Sequence, residues 1–217
     1  MNDKKRATEA VALLKEVYPE ATCALQWGGE EGWKLLVMGR LSAQCKDSTV
    51  NEVCVGLFEA YPTLESLADA SAEHIEELIH RCGLYRMKAK DIKNACRMLI
   101  DEFGGVVPDE MEQLLRLPGV GRKIANLLLG DLYHKPGIVA DTHCIRICGR
   151  LGFYDEKMKD PVKTERIMSA LVEPDEQSDF CHRIVQFGRD VCDARLPRCL
   201  DCPLSKICAG KRTDGKK

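Results

Sequence analysis

Apolar residues recur at helical spacing along almost the whole of this chain, and no stretch alternates polar with apolar as a half-buried strand must. That periodicity points to an all-α fold. Val11, Leu14 and Val17 fall on one face of a first helix that stops before Pro19. A second helix is expected from Gly32 to about Gln44, and a third, N-capped by Asp47 or Ser48, ends before Pro62. Ser71 suits the N-cap of a helix carrying Ile75, Leu78 and Ile79. A longer helix from Lys88 to Glu102 is closed by Gly104 and Gly105. Pro108 and Asp109 open a short helix to about Leu115, and a glycine turn leads into another that ends at Tyr133. Helices near residues 142–151, 161–171 and 177–189 complete the series, and no linker rich in Pro, Gly or Ser divides the chain.

The periodicity fails from Cys192 onward. There Cys192-x6-Cys199-x2-Cys202-x5-Cys208 crowds four thiols into a short, proline-containing segment with little apolar pattern to build a core. Four thiolates in so compact a loop can ligate one tetrahedral centre. Zinc and an iron–sulfur cluster both suit such a donor set. Only Cys199 and Cys202 are closely paired, which tilts the balance towards iron–sulfur.

The chain's 12 cysteines in 217 residues matter because of the compartment they imply. No apolar run approaches the length of a bilayer, and the N-terminus leads into an amphipathic helix and not a signal-peptide core. A cytoplasmic chain is therefore expected, nucleoid-associated in a prokaryote, where disulfides are disfavoured. The other eight cysteines (Cys23, Cys45, Cys54, Cys82, Cys96, Cys144, Cys148 and Cys181) are expected as small buried hydrophobes within helices. The net charge of −2 indicates no polyanionic partner by itself. Its distribution says more: Arg183 to Lys217 holds nine Lys/Arg against four Asp/Glu, with Arg195, Arg198, Lys206 and Lys211 around the cysteines. Such a segment suits a phosphate backbone or simply a solvated end.

Leu117-Pro118-Gly119-Val120-Gly121-Arg122-Lys123 reads as a turn between two helices. Gly119 and Gly121 let the backbone approach another molecule closely, and the N-terminus of the following helix offers amides to a phosphate. Binding of that kind is independent of base sequence. Lys123 falls in the first turn of that helix, where the dipole and neighbouring Arg122 disfavour its protonated form. A neutral amine is what Schiff-base chemistry requires, although a lysine here also suits simple phosphate binding. Asp141, before Thr142 and His143, stands at a helix N-cap. A carboxylate there stays ionised and can stabilise a cationic transition state as well as cap.

These elements, in this order, resemble the endonuclease III family of helix–hairpin–helix DNA glycosylases. The resemblance rests on residues 117–123, on Ala140-Asp141-Thr142-His143, on the cysteine loop, and on residues 41–47 and 83–89, and it runs from about Arg6 to Cys208. It implies a six-helix barrel carrying the hairpin (residues 22–135), and a second helical domain of residues 1–21 and 136–217 holding a [4Fe–4S] cluster. A catalytic cleft is implied between the two. By resemblance, Lys123 is the nucleophile, Asp141 the essential carboxylate, and Cys192, Cys199, Cys202 and Cys208 the cluster ligands. Gln44 and Leu84 match residues that fill the space left by a flipped base. Lys88, Gly119, Val120, Gly121, Arg122 and His143 are further expected DNA contacts. The implied activity is a monomeric, bifunctional N-glycosylase and abasic-site lyase acting on double-stranded DNA with oxidised pyrimidines or abasic sites.

Two positions depart from the family pattern: Ile124 stands where Thr is usual, and Ala140 replaces Val. Cys45 and Cys82 lie near expected DNA-contacting segments and are candidates for oxidation. Two other functions compete. A monofunctional, adenine-removing relative would lack the lysine and carry a Glu roughly where this chain has Gly39. A non-catalytic DNA-binding module would have no need of both Lys123 and Asp141.

Overall fold

The computed structural model describes residues 2–210. Among them the secondary structure is helical throughout, with no strand, in agreement with the all-α expectation. The basic tail beginning at Lys211 lies outside the described residues. Among the described residues no helix is long and apolar enough to cross a membrane.

The chain divides into two compact units, one of Ala24–Tyr133 and one built from both ends of the chain, up to Cys23 and from His134 onward. The internal unit is organised around α2 (Gly32–Leu41). Leu35, Leu36, Val37, Met38 and Leu41 are each at most 1% exposed, so this stretch of the helix is buried all round and must lie at the centre. Burying each such side chain contributes about 1.5–3 kcal/mol. α3 (Asp47–Ala60), α6 (Tyr85–Phe103) and α8 (Arg122–Tyr133) pack around it. α4 (Leu64–Asp69) and α5 (Ala72–Ile79) close over α6, and the single turn of α7 (Met111–Leu114) precedes α8. Ser71 caps α5 by accepting from the His74 amide, as the sequence led one to expect. Gly104, left-handed at φ +61°, ends α6.

Several local expectations are revised: α2 ends at Leu41 and not near Gln44, and α7 begins at Met111 and not at Pro108 or Asp109. α4 had no sequence prediction, because six residues show too little of a helical period; a reciprocal cap between Thr63 and Ser66 starts it. The N-cap of α3 is Lys46, with Asp47 already in the first turn, where its charge favours the dipole. α6 begins at Tyr85 and not at Lys88, launched from Leu84 in a left-handed conformation.

The second unit packs α1 (Asp3–Val17) against α10 (Pro161–Leu171) and α11 (Gln177–Asp190), with α9 (Thr142–Leu151) against both of the latter. The buried face of α1 is Ala7, Ala10 and Leu14, whereas Val17 is 45% exposed. Val11 packs at the edge of that face, so of the expected apolar positions only Val17 turns outward. Asp160 caps α10 and Pro161 occupies its first position, where a missing N–H costs nothing.

Candidate functional site

After α7, the Val120 amide donates to the Leu117 carbonyl at 3.1 Å and closes a turn. Pro118 at its second position and Gly119 at its third, with φ +76°, match the type II pattern, which excludes a Cβ at the third position. Leu117 and Val120 are buried and anchor the turn, leaving Gly119 exposed between them and Gly121 exposed just after. The first bond of α8 runs from Ala125 N–H to the Gly121 carbonyl at 2.9 Å. First-turn amides have no acceptor within a helix, and α8 carries no acidic residue there to occupy its positive end.

Arg122 and Lys123 are exposed in that first turn, and Ile124 points inward. Its Cγ2 lies 3.2 Å from where a Cβ on Gly39 of α2 would stand. A glycine on the central helix thus makes room for the larger residue beside Lys123, and the departure at 124 is taken up in packing. Ala140 is also buried.

Only three non-glycine residues among those described have positive φ, and two of them are Gln44 (φ 55°) and Leu84 (φ 47°). Both are exposed. Backbone strain of this kind persists only where surrounding structure over-determines it, and it gathers at functional sites. Lys88 supplies part of that determination. Its ammonium donates to the carbonyls of Leu41 at 2.8 Å and Cys82 at 2.6 Å, tying the end of α2 to the 3-10 turn that precedes Leu84. Burial lowers its pKa. The expectation that Lys88 contacts DNA is therefore corrected: the side chain is fully buried, and it acts on the segments that carry Gln44 and Leu84.

Asp141 is the N-cap of α9, accepting from the Cys144 amide at 2.7 Å, and remains half-buried. His143 is half-buried against Gly188 of α11, where any Cβ would collide with its Nδ1, and that nitrogen lies 3.2 Å from the Arg146 guanidinium. Its ring is thus fixed within the unit. Lys123 belongs to the internal unit and Asp141 to the other.

Cys192, Cys199, Cys202 and Cys208 all line one cavity, with Ile147, Leu151 and Phe187 as its apolar wall. Two arginines the sequence reading had passed over build the loop. From α9, Arg150 donates to the Asp193 and Ala194 carbonyls at 2.7 and 2.9 Å and lies 3.4 Å from Cys192 Sγ. Its own carbonyl accepts from Gly210 N–H at 2.7 Å and from the Cys208 thiol at 3.3 Å. Arg146, one turn earlier, donates to the Cys192 carbonyl at 3.0 Å. Their spacing, i and i+4 on one helix face, was the available signal. Burial pushes Cys202 up to about 11 and raises Cys208, so these sulfurs ionise only against a compensating positive charge. Of the flanking cations, Arg195 and Lys206 are exposed, while Arg198 is turned onto the Asp190 carbonyl.

The remaining cysteines divide. Cys54, Cys82, Cys96, Cys144, Cys148 and Cys181 are buried as expected, whereas Cys23 and Cys45 are half-buried and lie outside helices. Burial raises Cys82 to about 11, which leaves it protonated near neutrality and unreactive.

Residues 37–174 match the model of the HhH-GPD superfamily base excision DNA repair protein family. The chain is 44% identical to endonuclease III of Synechocystis over 94% of its length and 92% of the relative's. The Bacillus subtilis endonuclease III is 38% identical over the same shares. A solved structure of a trapped endonuclease III–DNA covalent intermediate superposes with a TM-score of 0.90 at 36% identity, covering 97% of this chain and 98% of that one. Identity at this level over nearly the whole length places the protein in the endonuclease III family, within the HhH-GPD superfamily of base excision DNA repair proteins.

Proposed function

We propose that Lys123 and Asp141 carry the chemistry of a bifunctional N-glycosylase and abasic-site lyase that removes oxidised pyrimidines from double-stranded DNA. Base excision by a DNA glycosylase with lyase activity is what membership of the family brings to this chain. The observation that carries the assignment is the position of Lys123, an exposed primary amine in the first turn of the helix behind the glycine hairpin. The hairpin amides take up a phosphate irrespective of base sequence, bringing that amine to the sugar of the bound strand. The two compact units serve as the two domains, one bearing the hairpin and the other the cysteine loop.

A damaged pyrimidine stacks weakly and is extruded at low cost. Gln44 and Leu84, held out by left-handed backbone, fill the gap it leaves. The lone pair of Lys123 Nζ forms a bond to C1′, the glycosidic bond breaks, and the electron pair departs with the base. Asp141 assists transfer of the proton lost from the attacking amine and stabilises the positive charge that develops on the sugar. Ring opening then gives a Schiff base between Nζ and C1′. The iminium acidifies the C2′ protons; loss of one expels the 3′ phosphate and nicks the strand by β-elimination.

Cys192, Cys199, Cys202 and Cys208 are proposed to hold a [4Fe–4S] cluster. All four line one cavity, and a four-thiolate set in which only Cys199 and Cys202 are closely paired in sequence favours iron–sulfur over zinc. When bound, the cluster would supply positive charge to the four thiolates and cross-link the loop.

The test is incubation with duplex DNA containing one thymine glycol, with and without borohydride. A covalent adduct with borohydride, a nicked strand without it, and neither from Lys123→Ala are the expected results. An adduct with the alanine variant would remove Lys123 as nucleophile. An adduct with a plain abasic site but not thymine glycol would keep the lyase and redirect the search for the base.

A further inference from the structure

Within the central helix, seven consecutive residues from Leu35 to Leu41 are buried, and one of them is Arg40. A guanidinium in such a run pays desolvation that an apolar residue would avoid, so its place there calls for a compensating use. Its Nε and Nη2 both donate to Oδ2 of Asp91 on α6, at 2.8 and 2.7 Å. The pair lies directly under the hairpin. A Cβ on Gly119 would stand 2.5 Å from Arg40 Nε, 2.6 Å from its Cδ and 2.9 Å from Asp91 Cβ. The turn therefore rests on the ion pair itself, with no intervening side chain.

We propose that Arg40 and Asp91 are positioning residues for the hairpin: an ion-paired strut that sets the height and tilt of the Gly119 turn for DNA. The proposal rests on reading the hairpin as the phosphate-binding element. A planar guanidinium held by two hydrogen bonds to one carboxylate oxygen is rigid where an aliphatic side chain would be free to change rotamer. Gly119 needs to be glycine twice over, for its positive φ and because the strut occupies the space of a side chain. Arg40 is only 8% exposed, so it acts on DNA through the turn it supports.

The decisive variant is the double substitution Arg40→Leu/Asp91→Leu in the full-length protein, since an apolar replacement of a buried pair usually folds. Affinity for a duplex carrying a tetrahydrofuran abasic analogue is measured against salt. Single-turnover nicking of a true abasic site is measured at saturating enzyme. The expected result is a dissociation constant raised roughly tenfold, as misplacement of a positioning group implies. The saturated rate stays within about twofold, the melting temperature stays near that of the parent, and the salt slope is unchanged. Where the double variant fails to fold, Asp91→Asn keeps the shape and loses only the charge, with a smaller loss of affinity expected. Parental affinity in whichever variant folds overturns the strut. So does a salt slope shallower by about one, which marks Arg40 as a direct phosphate contact. Gly121→Glu separates the two readings, because it adds a carboxylate in open space at the hairpin surface. If Gly121→Glu binds as the parent does, the hairpin reading fails and the strut with it. If it binds weakly while the double variant does not, the strut alone fails.

Discussion

The glycine hairpin and the cysteine loop are both irregular segments that follow a helix, yet they are shaped by opposite means. The hairpin is made locally: a Pro-Gly pair, a hydrogen bond across three residues and two buried flanking side chains give its form. The cysteine loop has turns of its own, with the Asp193 side chain accepting from the Arg195 and Leu196 amides and backbone bonds from Ser205 to Cys202 and from Ile207 to Leu204, but it also leans on distant residues. Its course is drawn by Arg146 and Arg150, more than forty positions earlier, and in the proposed function by a cluster. A turn that meets a phosphate works best already shaped, since ordering it on binding would cost affinity. A loop closed by metal ligation needs only to be brought near its final path, because the ligand bonds supply the rest.

That contrast can be broken at either end. The largest effect is expected from Arg150→Ala, which removes its hydrogen bonds to the Asp193 and Ala194 carbonyls and its contact with Cys192 Sγ. Loss of several charge-assisted bonds should cost roughly 3–5 kcal/mol, read by denaturant unfolding. Iron bound per chain should fall with it. Full iron content at unchanged stability would mean that the loop shapes itself as the hairpin does.

Gly119→Ala comes next. A Cβ there forces a positive φ on a residue that resists it and strikes Arg40, for a cost of roughly 2–4 kcal/mol. DNA affinity should fall while iron content holds, and a loss of iron would show that the two segments are not independent. Ile124→Thr is smaller. It leaves a void over Gly39 and buries a hydroxyl beside it, costing roughly 1–2 kcal/mol in the same unfolding measurement. An unaltered stability with altered base preference would place Ile124 in the substrate pocket and not in the core.

The smallest expected effect concerns the frame around the cysteine loop. Glu176 accepts from Lys15 of α1 at 2.6 Å and from Arg183 of α11 at 3.0 Å. The hydrogen bond to Lys15 is the chief cause of its lowered pKa. A carboxylate whose folded value is depressed contributes stability that is present above its unfolded value and lost as the pH falls through the folded one. Glu176→Gln should therefore flatten the acid limb of melting temperature against pH below about pH 5, leaving the hairpin's DNA affinity unchanged. An acid limb identical to the parent's would assign the frame's stability to apolar packing alone.

Much of this was legible beforehand because it is written over short distances. The helix ends at Gly104, the Ser71 and Asp141 caps and the Pro-Gly turn each depend on residues within a few positions. α4 escaped because six residues show too little of a period, and its cap uses Ser66 where a Glu or Gln is the usual signal. Lys88 misled because a lysine in a segment expected to contact DNA reads as a surface cation. Its burial depends on two carbonyls at the ends of other elements, which no local pattern announces.

The sequence by itself determined the all-helical class, the two chemistry-bearing segments and the identity of Lys123 and Asp141 as candidates. Helical period, turn chemistry and cysteine spacing are properties of neighbouring residues. Only the tertiary structure decided that Arg40 and Asp91 meet beneath Gly119, that Gly39 makes room for Ile124, and that Arg150 gathers the cysteine loop. Each of those contacts joins residues far apart in the chain. Their energies appear only once burial removes water and leaves a charge or a methyl group to find its partner elsewhere in the fold.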